Sequence, residues 1–276
     1  MEIKFFCPRW GSEQIDWNTF LKKAADGGYN GIEYAISSDT STQALDLAWD
    51  AASRHNMLMI AQHYDTTTPD FMRHCETMAV WLERIAVYRP LKINSQTGKD
   101  FFSFQQNKTL IAYAEEFSKR TGIPVVHETH RGKFSYAAHV TRDYLMQLSS
   151  LKITLDVSHW VCVAESYLEE QSEALTLAIH RTEHIHARVG YPQGPQVPDP
   201  RVDEWSPAVN KHLQWWDRIV ERQHLNNSEA VLTITPEFGP KPYMILLPDS
   251  RQPIADQWSV NEYMLQLLKI RYGHHR

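Results

Sequence analysis

Short apolar runs alternate with longer stretches of helical apolar spacing, and the alternation holds along the chain. The short runs, at 3–7, 32–36, 57–63, 91–94, 125–128, 153–156, 184–188 and 231–237, predict eight strands. The i, i+3, i+4 spacing predicts helices over 16–26, 42–54, 70–88, 105–120, 136–148, 166–180, 208–224 and 260–271. Asp16 is a candidate N-cap, its carboxylate placed to accept a free backbone N–H of the first turn. Gly27-Gly28 and Thr121-Gly122 are candidate stops, where a glycine relieves left-handed C-cap geometry, and Pro124 reinforces the second. Crossovers this long join parallel strands. Eight β-then-α units fit a single α/β domain over 1–276, a (β/α)8 TIM barrel, a fold usually built from ~250 residues. The rival is an open doubly wound sheet. It more often carries a glycine-rich phosphate turn after its first strand, and WGSEQ at 10–14 is not G-x-G-x-x-G. One non-periodic insertion, at 190–207, holds five prolines and two glycines after the seventh strand, where a lid or substrate loop is expected.

Composition narrows the function classes. Apolar types at 42% can bury a core, and a net charge of −5 with no cationic run longer than a pair argues against a nucleic-acid partner. No run of about 18 uncharged apolar residues suggests a membrane span. The start, MEIKFFCPRW, lacks a cationic leader and an apolar signal core, so a soluble cytoplasmic protein is expected. Cys7, Cys75 and Cys162 are too scattered for a disulfide scaffold or thiolate zinc site. Fourteen histidines and nine tryptophans direct attention to metal chemistry and to walls for a polar ligand.

Four consecutive strands end on metal-type side chains: PVVHE on Glu128, KITLD on Asp156, HIH on His186 and VLTITPE on Glu237. In a closed barrel these ends meet at the C-terminal mouth. Side-chain alternation sets Glu128 with Val126 and His130, Asp156 with Thr154, His186 with His184 and Arg188, and Glu237 with Thr233 and Thr235. Any one carboxylate could be a helix N-cap or half of a salt bridge. Three in one low-dielectric mouth repel, and one divalent ion (Mn²⁺, Mg²⁺, Co²⁺ or Zn²⁺) with an imidazole removes that repulsion. His184 competes with His186 on the same strand, and the inward position at the mouth favours His186.

The motifs HETH (His127–His130), LDVSHW (Leu155–Trp160), HIHARVG (His184–Gly190) and TPEFGP (Thr235–Pro240) make the chain resemble the xylose-isomerase-like TIM-barrel superfamily over essentially its whole length. That sugar phosphate isomerase/epimerase group also holds inosose dehydratases, hydroxypyruvate isomerases, ketose 3-epimerases and metal-dependent apurinic endonucleases. The resemblance implies metal ligands at Glu128, Asp156, His186 and Glu237. His159 looks like its substrate- or metal-proximal histidine, and His63 like the histidine opposite the metal. Three positions depart from the group. Phe134 stands where the epimerases carry a second glutamate, and Pro192 replaces their arginine, with Arg188 nearby. Asn94 stands where the endonucleases would place another histidine.

The expected chemistry is isomerisation or epimerisation of a small sugar or keto-polyol through an enediolate. Glu128 and Glu237 would form the acid–base pair, and His159 would bind the developing oxyanion. Arg188 would pair with a substrate carboxylate or phosphate. Asn94, His130, Trp10, Trp160, Asp199 and Arg201 are further candidates for substrate binding. Elimination of water from a keto-sugar or inosose is the main alternative, ahead of an endonuclease-like or non-catalytic binding role. A homo-oligomer is compatible with all of these.

Overall fold

The computed structural model describes residues 1–226 and 231–273. Eight parallel strands close into a barrel in chain order. They are β1 (Glu2–Pro8), β2 (Gly31–Ala35), β3 (Leu58–His63), β4 (Lys92–Ser95), β5 (Val125–Glu128), β6 (Ile153–Leu155), β7 (Thr182–His186) and β8 (Val231–Thr235). The surrounding helices are α1 (Trp17–Asp26), α2 (Thr42–Arg54), α3 (Phe71–Ala86), α4 (Phe104–Thr121), α5 (Ala138–Gln147), α6 (Val157–Ala164), α7 (Ser172–Arg181), α8 (Ser206–Asn226) and α9 (Gln257–Tyr272). The expected barrel is the observed one.

Helix starts follow from short polar side chains. Asp16 accepts from Thr19 N at 3.1 Å, Asp70 from Arg73 N at 2.8 Å, and Ser103 with Gln106 forms a reciprocal capping box. The first helix ends through Gly28 in the left-handed region (φ 86°), whereas Gly27 stays right-handed. Gly122 is left-handed (φ 74°), as the Thr121-Gly122 stop requires. Two expectations need correction. The run VSHWVCVA forms α6, capped by Asp156, and the 166–180 segment begins with a 3₁₀ turn (Glu169–Gln171) before α7.

The strands sort their side chains cleanly. Ile32, Ile153, Ile185 and Ile234 face outward and pack with Leu21, Leu145, Leu175 and Ile219 of the helices. Ala61, Ile93 and Val125 do the same against Met78, Trp81, Leu82 and Leu110. The neighbours of these residues point into the barrel. There, buried Glu33, Lys92, Asn94, His184, Thr233 and Thr235 replace the branched apolar layers usual for this architecture. Buried polar groups need partners, and the bonds they make across the interior position the site.

Candidate metal centre and substrate cavity

At the C-terminal ends of the strands, Glu128, Asp156, His186 and Glu237 each bring one ligand atom within 4.8 Å of the others. All four are buried. Glu128 ends β5 and His186 ends β7. Asp156 follows β6, and Glu237 lies two residues beyond β8. The parallel register aligns these ends, pairing His184 with Thr233 and His186 with Thr235.

The hydrogen bonds separate this cluster from a second one, Glu33, His184 and His186. Glu33, mid-strand in β2, accepts at Oε1 from His186 Nε2 at 3.0 Å and Asn94 Nδ2 at 2.9 Å. Its Oε2 accepts from His184 Nε2 at 3.0 Å and from Thr235 Oγ1. Four donors meet the roughly four acceptor positions of one carboxylate, so that cluster is a closed network. His184 is accordingly a core imidazole, its Nδ1 facing Thr233 Oγ1 at 2.7 Å.

Because Nε2 of His186 is spoken for, its Nδ1 faces the mouth. That atom is buried and hydrogen-bonds to nothing among the described residues, although Glu237 Oε2 lies 2.8 Å away and Glu128 Oε1 3.7 Å away. An orphaned imidazole nitrogen beside three buried carboxylates is a donor set that fits a divalent cation, and the Glu33–His186 bond is the usual outer support of such a ligand. Burial pushes the Glu128 carboxyl up to about 7, with Glu237, Asp156 and Glu33 adding to the push and His186 opposing it. Burial also works against ionisation of Glu237, but His186 and Arg188 outweigh it and hold that carboxyl below its ordinary value.

Asp156 serves two ends. Its Oδ1 accepts from Ser158 N at 3.1 Å, the N-cap of α6, while Arg188 Nη2 bonds Oδ2. Arg188 is fully buried, with its guanidinium carbon 4.5 Å from the Tyr243 ring centroid and Nη2 3.8 Å from Glu237. It balances the carboxylates and also lines the cavity above them. His159 lies 3.7 Å from Asp156, and burial holds its imidazole well below the usual range.

Above the cluster opens a cavity of about 650 Å³, walled by Trp10, Tyr34, Tyr64 and Tyr243 and reaching down to Glu128 and Glu237. Trp10 packs edge-on to Tyr243 and lies against Gly239, where a Cβ would sit 2.1 Å from the indole. Gln62 spans the two glutamates, its Nε2 donating to Glu128 Oε2 at 3.2 Å and to Glu237 Oε1 at 3.3 Å. Asn94 and Gln96 also donate to Glu128. His130 lines the cavity, and its ring centroid is 4.1 Å from that of His159.

Four expected substrate residues lie elsewhere. His63 turns outward from β3 onto Trp81, with Ser95 and Thr66 on its two nitrogens, and burial pushes it down to about 3. Gln62 occupies the inward position instead. Trp160 is core, its indole N–H donating to Ser135 O. Asp199 and Arg201 pair with each other, and Arg201 also reaches Ser259. No residue of the 190–207 segment lines the cavity. It folds back through Tyr191–Gly194 and Gln196–Gly239 bonds.

Reading the sequence missed Glu33, Gln62, Gln96 and Tyr243. For Glu33 a signal existed: a carboxylate flanked by Ile32 and Tyr34 inside a strand. No helix among the described residues is long and apolar enough to cross a membrane.

No protein-family model matches the chain, and no curated protein does. Solved structures do. A D-allulose 3-epimerase from a Methylomonas species superposes with a TM-score of 0.62 at 16% identity, covering 98% of each chain. A xylose isomerase domain-containing protein from Salmonella typhimurium gives 0.62 at 13% identity, over 97% of this chain and 96% of that one. The probable 3-DHS dehydratase AsbF of Bacillus anthracis gives 0.60 at 13% identity, over 98% and 99%. The chain therefore has the xylose-isomerase-like barrel fold. At these identities the likeness is one of fold.

Proposed function

We propose that this chain is a divalent-metal-dependent isomerase or epimerase of a small sugar or keto-polyol. The carrying observation is the convergence of Glu128, Asp156, His186 and Glu237 within 4.8 Å at the floor of an aromatic-walled cavity. Those four residues would hold the ion. When bound, it supplies Lewis-acid polarisation of a substrate carbonyl. Glu237, held ionised, removes the proton beside the carbonyl, and Glu128 returns or relays one. Gln62 keeps the two carboxylates at a fixed separation by donating to both. His159 stands beside Asp156 to stabilise the developing oxyanion. The aromatic walls of Trp10, Tyr34, Tyr64 and Tyr243 suit the apolar faces of a sugar ring and exclude water from the reacting carbon.

Elimination is the second reading, since it begins with the same proton abstraction. A Bacillus anthracis structure with the same fold is described as a probable dehydratase. The test is an NMR screen in D₂O of ketoses, keto-inositols and 3-keto-glycosides with Mn²⁺ present. Deuterium is expected to enter beside the carbonyl of at least one compound in an EDTA-reversible manner. Exchange that EDTA leaves untouched would overturn the metal-dependent reading. Turnover of an abasic duplex with none of any sugar would move the protein to nucleic-acid chemistry.

A further inference from the structure

The cavity has two sides. Glu128, Asp156, His186 and Glu237 stand at the ends of β5 to β8. In a ring closed in chain order β2 lies opposite β6, and most of the remaining wall comes from β2, β3 and the loops after β1, β2 and β3. Ala35 explains why the space reaches so far. It pairs with Gln62 in the register of β2 and β3 and, like Gln62, faces inward, one layer above Glu33. Glu33 fills the layer below by reaching His184 and His186, whereas only a methyl group projects above it. The resulting opening of about 650 Å³ falls in the ~300–1,000 Å³ range of pockets that enclose drug-sized ligands, more room than one hexose fills.

The far side offers hydroxyl groups on a fixed frame. Tyr34 and Tyr64 line it, with the Thr40 hydroxyl beside the first phenol and that of Ser37 beside the second. A phenol both donates and accepts, so each keeps capacity for a ligand. The loop that carries Ser37 and Thr40 is gripped from α3. Trp81 Nε1 donates to Ile36 O at 3.0 Å, Arg84 Nη2 to Ser37 O at 3.0 Å, and Arg84 Nη1 to Ser38 O and Thr40 O at 2.9 Å each. Asp65 accepts from Ser38 N at 2.6 Å and from Ser38 Oγ at 2.9 Å. Held this way, the wall is formed before a ligand arrives. Charge limits what it can receive. Glu13 is the charged group among the described lining residues of this side, and the guanidinium of Arg188 lies across the cavity against Asp156.

We propose that the far side is a second sugar subsite, and that the substrate is an uncharged ketose or keto-sugar carrying a second sugar unit. The keto unit meets the four-residue cluster, and the glycosyl unit lies against Tyr34 and Tyr64. The inference deepens the sugar reading above and rests on it. The phenol rings suit the apolar face of a pyranose, and their hydroxyls bond its hydroxyl groups. A phosphate in the same place would meet Glu13 with no cation beside it, so the distal group is neutral.

The test is a ligand-observed NMR titration of the intact protein, with Mn²⁺ present, using D-fructose and the glycosyl-fructoses turanose, isomaltulose and lactulose. D-fructose 6-phosphate is the charged comparator. At least one disaccharide is expected to bind wild type about tenfold more tightly than D-fructose, the effect of roughly one or two net hydrogen bonds. The phosphate ester should bind no more tightly than D-fructose. The double variant Tyr34→Phe/Tyr64→Phe keeps the rings and removes their hydroxyls, and Ala35→Leu fills the far side. Each should bring the best disaccharide and D-fructose within about twofold of one another. Three results would overturn the inference: no disaccharide bound more tightly than D-fructose, a preference that survives either variant, or the phosphate ester bound as tightly as the best disaccharide. EDTA-reversible exchange into a monosaccharide without a disaccharide preference would leave the isomerase reading standing and this inference failed. A disaccharide preference lost in both variants, with no metal-dependent exchange in any sugar, would do the reverse.

Discussion

Replacing Glu33 by glutamine is expected to weaken Mn²⁺ and Zn²⁺ binding by about 10- to 100-fold, the usual cost of losing an outer-shell partner, although no proposed ligand is removed. Glu33 accepts from His186 Nε2 and His184 Nε2, and through these bonds His186 presents Nδ1 to Glu128 and Glu237. Glutamine at this position puts an N–H where a carboxylate oxygen had accepted. His186 then loses either its orientation or its preferred tautomer. Calorimetric titration of wild type and Glu33→Gln would settle the point, with Asp156→Asn as the direct-ligand comparison at tenfold or more. Equal affinity in Glu33→Gln would remove Glu33 from the metal site, and equal metal content in Asp156→Asn would remove the four-residue assignment.

The same titration carries a pH signature. Glu128, pushed up to about 7 by burial, holds its proton in the ion-free protein below that pH. His186 is raised as well: burial opposes its charge, but Glu237, Glu33 and Glu128 outweigh it. An ion bound to these atoms competes with their protons, so binding should release protons and affinity should rise as pH is raised through about 7. Affinity that is flat from pH 6 to 8 would show that these two groups are not ligands.

How far the site was legible depended on whether a strand's two faces differ in polarity. Over the last three residues of β7 and of β8 polar and apolar residues alternate, His184-Ile185-His186 and Thr233-Ile234-Thr235, so the inward set could be read directly there. In β3 the run LMIAQH is apolar on both faces, as buried parallel strands are, and gives no parity. The histidine drew attention because of its chemistry, while the pleat turns Gln62 inward and His63 onto Trp81. Glu33 escaped for another reason. It sits one layer below the mouth, and the groups that make its burial tolerable come from β4, β7 and β8, distant in sequence. Tyr243 lies beyond β8 in a segment without periodicity, and only the closed barrel brings it over Arg188. Asp156 shows the opposite case, because the two readings of it do not compete: it caps α6 and also lies in the four-residue cluster.

Glu237→Gln is expected to lower the rate of deuterium exchange by about 10²- to 10⁴-fold, the range for removing a positioned acid–base group, in whichever compound the wild type exchanges. Glu237 is the member of the pair that stands deprotonated and ready to accept, because His186 and Arg188 hold it ionised, whereas Glu128 is raised by burial and its acidic neighbours. Glutamine keeps the shape and one carbonyl oxygen, so Gln62 Nε2 retains an acceptor there. Loss of a ligand charge is the competing explanation for a slow variant, and metal content separates the two. At saturating Mn²⁺, a variant that holds its ion and still fails to exchange has lost the base. A variant that exchanges normally once loaded shows that Glu237 served only the ion. In that event proton transfer would have to pass to Glu128. Among the described residues it is the other carboxylate that both joins the four-residue cluster and lines the cavity, and Glu128→Gln should then carry the full loss.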